Sequence, residues 1–376
     1  MLTEDQTLIR DTARAFARDR LAPGAAARDR NGAIEPEILT EMGELGFLGM
    51  TVSPDYDGVG ADYVSYALAL MEIAAGDGAV STVMSVHNAP FNAILERFGA
   101  EQHKADILRP AARGEFIGGF GLTETQAGSD ASAVRSSARK VQGGYVLNGT
   151  KEFITSGRIG RYVITFARLE GTKGKHGITA FIVPTDATGF EVTRVEEKMG
   201  QRASDTCALR YTDVEIPDDA RIGDEGQGYK IALASLETGR IGIASQSVGM
   251  AQAALDAAVA YAKERQTFGT PIINHQAVSF RLADLAAQLE AARQLTLFAA
   301  RLKDAGVPCL TEAAMAKLYA SEAAERIVSG ALQTFGGMGY MVETGLERIA
   351  RDVRVCQIYE GTSDIQKLII ARALNA

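Results

Sequence analysis

A carboxylate can accept a proton, but on a loop just ahead of a helix its local sequence reads first as structural. This chain has one at Glu360, followed by Gly361-Thr362-Ser363. The local pattern also has a plain structural use. Ser363-Asp364-Ile365-Gln366 fits a capping box, in which Ser363 and Gln366 satisfy free amide groups at a helix start. The two roles are compatible, because a capped helix start fixes the loop that carries the carboxylate. A second acidic candidate, Glu237, sits in Glu237-Thr238-Gly239-Arg240. Arg265 offers planar donors that match phosphate oxygens, or a surface charge at a helix end. The glycines after Gln333 permit close backbone approach to a ligand, or simply a helix C-cap.

The common cofactor and hydrolase motifs are absent. Gly119-Phe120-Gly121 leads to Glu124 where the dinucleotide fingerprint needs a third glycine, and Gly336-Gly337-Met338-Gly339 follows a helix rather than a strand. Gly171 to His176 is too short for a P-loop, and no Gly-x-Ser-x-Gly elbow occurs. Cys207, Cys309 and Cys356 have no paired spacing, and the histidines 87, 103, 176 and 275 form no metal motif. Cys207 and Cys356 read as small buried apolar groups. A net charge of -8 and a pI near 5.3 disfavour nucleic acid as a partner. No apolar run is long enough for a membrane helix. The first ten residues hold Glu4 and Asp5 and no apolar run, which argues against a leader. The expected location is the cytoplasm, or the mitochondrial matrix for a processed eukaryotic form.

The elements that would position these residues fall into three regions. With 376 residues the chain is long enough for two or three domains of roughly 100–200 residues each. Residues 1–115 read as helical, with apolar faces from Leu8 to Ala17 and then over Glu35–Leu45, Tyr63–Ala75, Val80–Phe98 and Glu101–Ala112. Pro23-Gly24 is expected to end the first helix, and Ser53 to Gly58 forms a turn-rich loop. Residues 116–225 read as a β domain of barrel or sandwich type. Its strands are expected around Tyr145–Leu147, Arg161–Ala167, Ile178–Val183, Phe190–Val195 and Cys207–Ile216. Residues 226–376 read as a bundle of long alanine-rich helices, Tyr229–Glu264, His275–Asp304 and Thr311–Thr334, with a last short helix after Gly361. The fold class is therefore α+β, mostly α, with a C-terminal four-helix bundle.

Five segments carry a resemblance that the general motifs do not. They are Leu122-Thr123-Glu124-Thr125-Gln126-Ala127-Gly128-Ser129-Asp130, Lys151-Glu152-Phe153-Ile154-Thr155, Arg265-Gln266-Thr267-Phe268-Gly269, Gln333 to Tyr340, and Ile358-Tyr359-Glu360-Gly361-Thr362-Ser363. In this order and spacing, over nearly the whole chain, they resemble the acyl-CoA dehydrogenase family. The stretch from Leu236 to Ala244 is most similar to the short-chain and short/branched-chain members.

The resemblance implies an FAD-dependent enzyme that converts an acyl-CoA to trans-2-enoyl-CoA in fatty-acid or branched-chain amino-acid breakdown. Its expected partner is an electron-transferring flavoprotein. A base removes the α-proton while hydride leaves the β-carbon, and the resemblance puts that base at Glu360. The isovaleryl and long-chain types instead carry Glu just before the arginine that matches Arg240; here that position is Gly239. Glu237, Thr238, Gly239, Arg240 and Gly361 are implied substrate contacts.

The resemblance places Phe120, Leu122, Thr123, Gly128, Ser129, Phe153, Ile154 and Thr155 around the flavin, with Ser129 also touching CoA. Most relatives have tryptophan at Phe153 and proline at Thr125. Arg265, Gln276, Gln333, Gly336 and Gly337 would meet a neighbouring subunit's FAD, and Thr362, Ser363 and Asp364 would close on its adenine half. A cofactor shared in this way implies a homo-oligomer, as in the family's tetramers. Competing functions are a member acting on another CoA thioester or using oxygen, and a non-catalytic acyl-CoA-binding protein on the same fold.

Overall fold

The computed structural model describes residues 2–375. The first helix, α1 (Glu4–Phe16), starts at a capping box between Thr3 and Gln6. Pro23 does not end the helical path. The chain passes through a π-helical turn (Ala17–Leu21) and a 3-10 turn (Ala22–Gly24) into α2 (Ala25–Asn31). Pro23 lies at the start of the 3-10 turn, where its missing N–H breaks no bond. The path stops instead at Gly32, which takes the left-handed conformation with φ 64°.

Next come α3 (Pro36–Glu44), α4 (Tyr63–Gly76) and α5 (Gly78–Val86), and then α6 (Ala93–Phe98), α7 (Glu101–His103) and α8 (Arg109–Ala112). Two further π-helical turns, His87–Asn92 and Lys104–Leu108, interrupt this run. Helix α4 is apolar all round, as a helix buried on every side must be. Val64, Ala67, Leu68, Met71 and Ala74 face the C-terminal helices. Tyr66, Ala69, Leu70 and Ile73 face the N-terminal ones.

The middle of the chain forms one eight-stranded mixed sheet. Its strands are β1 (Ile117–Gly121), β2 (Ser137–Val141), β3 (Gly144–Thr155), β4 (Gly160–Leu169), β5 (Ile178–Pro184), β6 (Phe190–Val195), β7 (Thr206–Pro217) and β8 (Arg221–Ile222). The order is β6-β7-β3-β2-β4-β5-β8, with β1 beside β4. The expected barrel is not closed: β6 and β8 are free ends, and β8 has only two residues. The sheet instead buries its apolar side against Phe91, Ile94, Leu95, Ile107, Leu108 and Ile231 from flanking helices.

The C-terminal part holds α9 (Gly228–Glu264), a small hairpin of β9 (Gln266–Thr267) and β10 (Thr270–Pro271), α10 (Gln276–Asp304), α11 (Leu310–Phe335), α12 (Leu346–Arg354) and α13 (Ser363–Leu374). Its core is rich in alanine, so the helices approach closely. Helix α4 supplies an apolar wall of this bundle, whereas α13 buries only Gln366. Asp304 at the end of α10 accepts the amides of Tyr63 (2.6 Å) and Val64 (3.2 Å), which locks α4 into place. All three cysteines are free and buried. No helix among the described residues is long and apolar enough to cross a membrane.

Candidate active site

Glu360 sits on a turn between α12 and α13 whose backbone is left-handed at two successive residues, with φ 55° at Glu360 and 89° at Gly361. This conformation is unfavourable for a glutamate, so its surroundings must hold it. The Gly361 carbonyl accepts from Lys317 Nζ at 2.7 Å and from Gln366 Nε2 at 2.8 Å, and the Glu360 carbonyl accepts from Gln366 Nε2 at 3.2 Å. The cap of α13 is Thr362 rather than Ser363: its Oγ1 accepts the amide of Ile365. Thr362 follows the left-handed Gly361 and has φ -57° and ψ 163°, the non-helical geometry of a cap. Ser363 Oγ is buried without a partner.

The Glu360 side chain runs back to α9. Its Oε2 is enclosed and accepts no hydrogen bond. It lies so close to Gly239 that an added Cβ there would stand 2.6 Å from Oε2 and 2.9 Å from Cδ. Burial pushes the Glu360 carboxyl up to about 7, against the opposing pull of the Arg240 and Lys317 charges. Arg240 is itself buried, with Nε and Nη1 unpaired. Glu237 is engaged elsewhere, in a 2.8 Å ion pair with Lys303 of α10. Thr238 faces a cavity of ≈ 160 Å³ shared with Tyr63, Ala93, Glu96 and Lys303.

Gly239→Ala is expected to leave stability unchanged or slightly higher, since alanine is the better helix former. The flexible carboxylate end must yield instead, so substrate-driven flavin reduction should slow by about tenfold or more. Melting temperature and anaerobic reduction on the same preparation check this; normal reduction would show that the carboxylate's position against α9 is unimportant.

The sheet places two of the implied flavin segments side by side. Phe120 packs its ring on Phe166 at 5.2 Å. Leu122 is buried and its carbonyl accepts from Lys151 Nζ at 3.2 Å, while the Thr123 carbonyl accepts from the Glu152 amide at 2.9 Å. Glu124 is the fastening between them. It pairs with buried Lys151 at 2.7 Å and accepts the amides of Arg135 (2.7 Å) and Ser136 (3.0 Å). These donors hold its carboxyl down at about 2.

Gly128 and Ser129 are exposed, and Asp130 caps a short 3-10 turn. On β3, Ile154 is buried, Thr155 is half-buried beside Thr206, and Phe153 is 64% exposed at φ 59°. A bare aromatic ring at Phe153 and open space around Gly128, on segments joined by the Glu152–Thr123 bond, fit a flat cofactor.

A second exposed patch forms where α9, α10 and α11 meet. Arg265 closes α9, and the hairpin after it carries Phe268, 98% exposed, and leads to Gln276 at the start of α10. Tyr261, one turn before Arg265, stacks on Phe335 at 4.1 Å. That stack joins this corner to Gln333, Gly336 and Gly337, which are exposed, and the two glycines face open space. His275 bonds only to Thr267 through its ring, at 2.9 Å.

Sequence reasoning assigned no role to Glu124, Lys151, Lys317, Gln201 or Gln246. Lys317 does leave a trace: it is a lone cation in an apolar stripe with Ala313, Ala316 and Ala320, all buried.

Three family models match the chain in succession: the acyl-CoA dehydrogenase N-terminal domain over residues 3–115, the middle domain over 119–214 and the C-terminal domain over 226–375. The chain belongs to the acyl-CoA dehydrogenase family. It is thereby an oxidoreductase of an FAD-dependent family. This acyl-CoA dehydrogenase is 44% identical to the mitochondrial short-chain specific acyl-CoA dehydrogenase of Rattus norvegicus, over 98% of this chain and 90% of the relative. It superposes on butyryl-CoA dehydrogenase from Megasphaera elsdenii with a TM-score of 0.98 and 40% identity, covering 100% and 99% of the two chains. A chain from the structure called "Electron transferring flavoprotein of Acidaminococcus fermentans: Towards a mechanism of flavin-based electron bifurcation" also gives 0.98, at 42% identity and 100% and 98% coverage.

Proposed function

We propose that this acyl-CoA dehydrogenase oxidises a short- or branched-chain acyl-CoA to the trans-2-enoyl-CoA, with Glu360 as the base, and passes the electrons to an electron-transferring flavoprotein. The observation that carries this reading is the Glu360 carboxylate: enclosed, unpaired at Oε2, and raised to about 7. The α-proton of a thioester is very weakly acidic in water. A carboxylate raised in proton affinity by burial is a better acceptor for it than an exposed one near the usual carboxylate value. Arg240 and Lys317 keep Glu360 from being neutral throughout the physiological range, because their charges favour its ionised form. FAD held by the segments named below would supply the acceptor for the hydride that leaves the β-carbon.

Phe120, Leu122, Thr123, Gly128, Ser129 and Phe153 to Thr155 would hold the flavin end. Arg265, Gln276, Gln333, Gly336 and Gly337 of a neighbouring copy would hold the phosphates and adenosine, with Thr362, Ser363 and Asp364 beside them. This division makes the enzyme a homo-oligomer, as a tetramer. Ser129, Thr238, Gly239, Arg240 and Gly361 would contact the acyl-CoA. Glu237 would line the same region while paired to Lys303.

The short-chain reading is supported by the rat relative and the Megasphaera structure, and the electron acceptor by the Acidaminococcus match. The test is anaerobic flavin bleaching with butyryl-, isobutyryl-, 2-methylbutyryl-, isovaleryl- and octanoyl-CoA. Bleaching fastest with octanoyl-CoA, or with none, would overturn the substrate assignment. A pH dependence follows. A base must be deprotonated to act, so the apparent second-order rate of reduction should rise with pH through about 7 and fall below it. A flat profile from pH 5.5 to 8.5 would remove Glu360 from the proton transfer.

A further inference from the structure

Helix α9 holds the turn that carries Glu360 at two points. Gly239 abuts the carboxylate. Gln246 lies seven residues on, about two helical turns away and on the same face. Its Oε1 accepts the hydroxyl of Tyr359, the residue before Glu360, at 2.9 Å. Its Nε2 donates to Ser81 Oγ at 2.9 Å and Thr82 Oγ1 at 3.0 Å on α5. Thr82 Oγ1 donates to Gln201 Oε1 at 2.5 Å. Gln201 comes from the loop between β6 and β7, and its own backbone is left-handed at φ 47°. Its Nε2 donates to the Asp352 carbonyl at 3.2 Å and approaches the Tyr359 hydroxyl at 3.5 Å, and its amide bonds to Asp352 Oδ1. Ser81, Thr82, Gln201 and Gln246 are all buried.

Glu360 Oε2 has no hydrogen bond of its own to fix it. Its place is therefore set by the backbone turn. Lys317 and Gln366 secure the C-terminal side of that turn, and Tyr359 secures the N-terminal side. We propose that Gln246 and Gln201 are positioning residues for Glu360, acting through the Tyr359 hydroxyl to keep the carboxylate against Gly239. The proposal rests on Glu360 being the base. It also means that a residue of the sheet domain takes part in aiming a base carried by the C-terminal helices. None of these residues is among those assigned to the acyl-CoA above, so their loss should change the rate of proton removal and leave binding alone.

The test uses the FAD-loaded enzyme with Gln246→Met, which keeps length and removes the amide, and Tyr359→Phe, which removes only the hydroxyl. The saturating rate of anaerobic reduction should fall about 10- to 100-fold in each, the scale set by a misplacement near 1 Å. Acyl-CoA affinity and FAD content should stay within about twofold, consistent with a loss confined to orientation. Hydrogen–deuterium exchange of the amides of 358–362 should rise in both. The double variant should be no slower than the worse single one, because both remove the same bond.

Unchanged reduction and exchange would overturn the proposal. So would a lower melting temperature with a normal rate per FAD-loaded enzyme, or losses that multiply. If Gln246→Met does not fold, Tyr359→Phe decides alone. Glu360→Gln is run in parallel. Reduction surviving there overturns the base assignment and the proposal with it. Reduction lost there but intact in Gln246→Met and Tyr359→Phe overturns the positioning role alone.

Discussion

Glu360→Gln is expected to slow flavin reduction by at least the 10²–10⁴-fold that a positioned general base typically contributes. The amide fills the same space against Gly239 and keeps no proton-accepting charge. FAD and acyl-CoA binding should survive, since the carboxylate makes no hydrogen bond at Oε2. Stability gives a second signature. The folded pKa of about 7 lies above the ordinary glutamate value of 4.5. The folded state therefore holds the proton more tightly, and this contribution is fully present below 4.5 and lost as pH rises through 7. Glutamine removes that loss, so the variant should melt no lower than the parent at pH 8. Glu237→Gln is the control. It breaks the ion pair with Lys303 and should alter acyl-CoA affinity or preference more than the reduction step. Near-normal reduction in Glu360→Gln with a dead Glu237→Gln would move the base to α9.

Lys151→Met should be the most damaging change to the fold near the flavin segments. It strands Glu124, a carboxylate that is 4% exposed. Removing one partner of a buried ion pair costs about 3–5 kcal/mol. The loop from Leu122 to Ser129 hangs on that pair, so FAD should be lost along with stability. Denaturant midpoints and flavin absorbance per subunit measure the two effects. An unchanged midpoint with full flavin would show that the two amides at Glu124 suffice alone. The pair also shapes the acid limit. Glu124 is depressed from 4.5 to about 2, so its contribution is present above 4.5 and fades as pH falls through 2.

The long helices were legible because apolar and alanine positions recur through α9, α10 and α11, and three of them differ from expectation only at their ends. Strand β1 is not legible in the sequence because Ile117-Gly-Gly-Phe-Gly121 offers few side chains to alternate. Its glycines are packing necessities: a Cβ at Gly118 would stand 2.4 Å from the Phe91 ring. Pro23 and Pro90 both lie inside continuing helical paths, since 3-10 and π-helical turns relax the hydrogen bonding that proline breaks. The sequence singles out Glu360 only through its segment; its left-handed backbone and its meeting with Gly239 are products of tertiary packing. Gln201 and Gln246 left no trace at all. A glutamine in a loop or helix reads as surface, and only the fold turns these two inward.

Helix α4 bears on how the chain comes into being. Its apolar faces are covered partly by residues made long afterwards, on α9 and α10, and its first amides wait for Asp304. At translation speeds of about 5–20 residues per second, the 188 residues from Gly76 to Glu264 take roughly 10–40 s to follow. Through that interval a nascent α4 presents bare hydrophobic surface at the ribosome. The N-terminal helices therefore complete their packing only once the last third of the protein is made, and cannot finish folding as an early, independent unit.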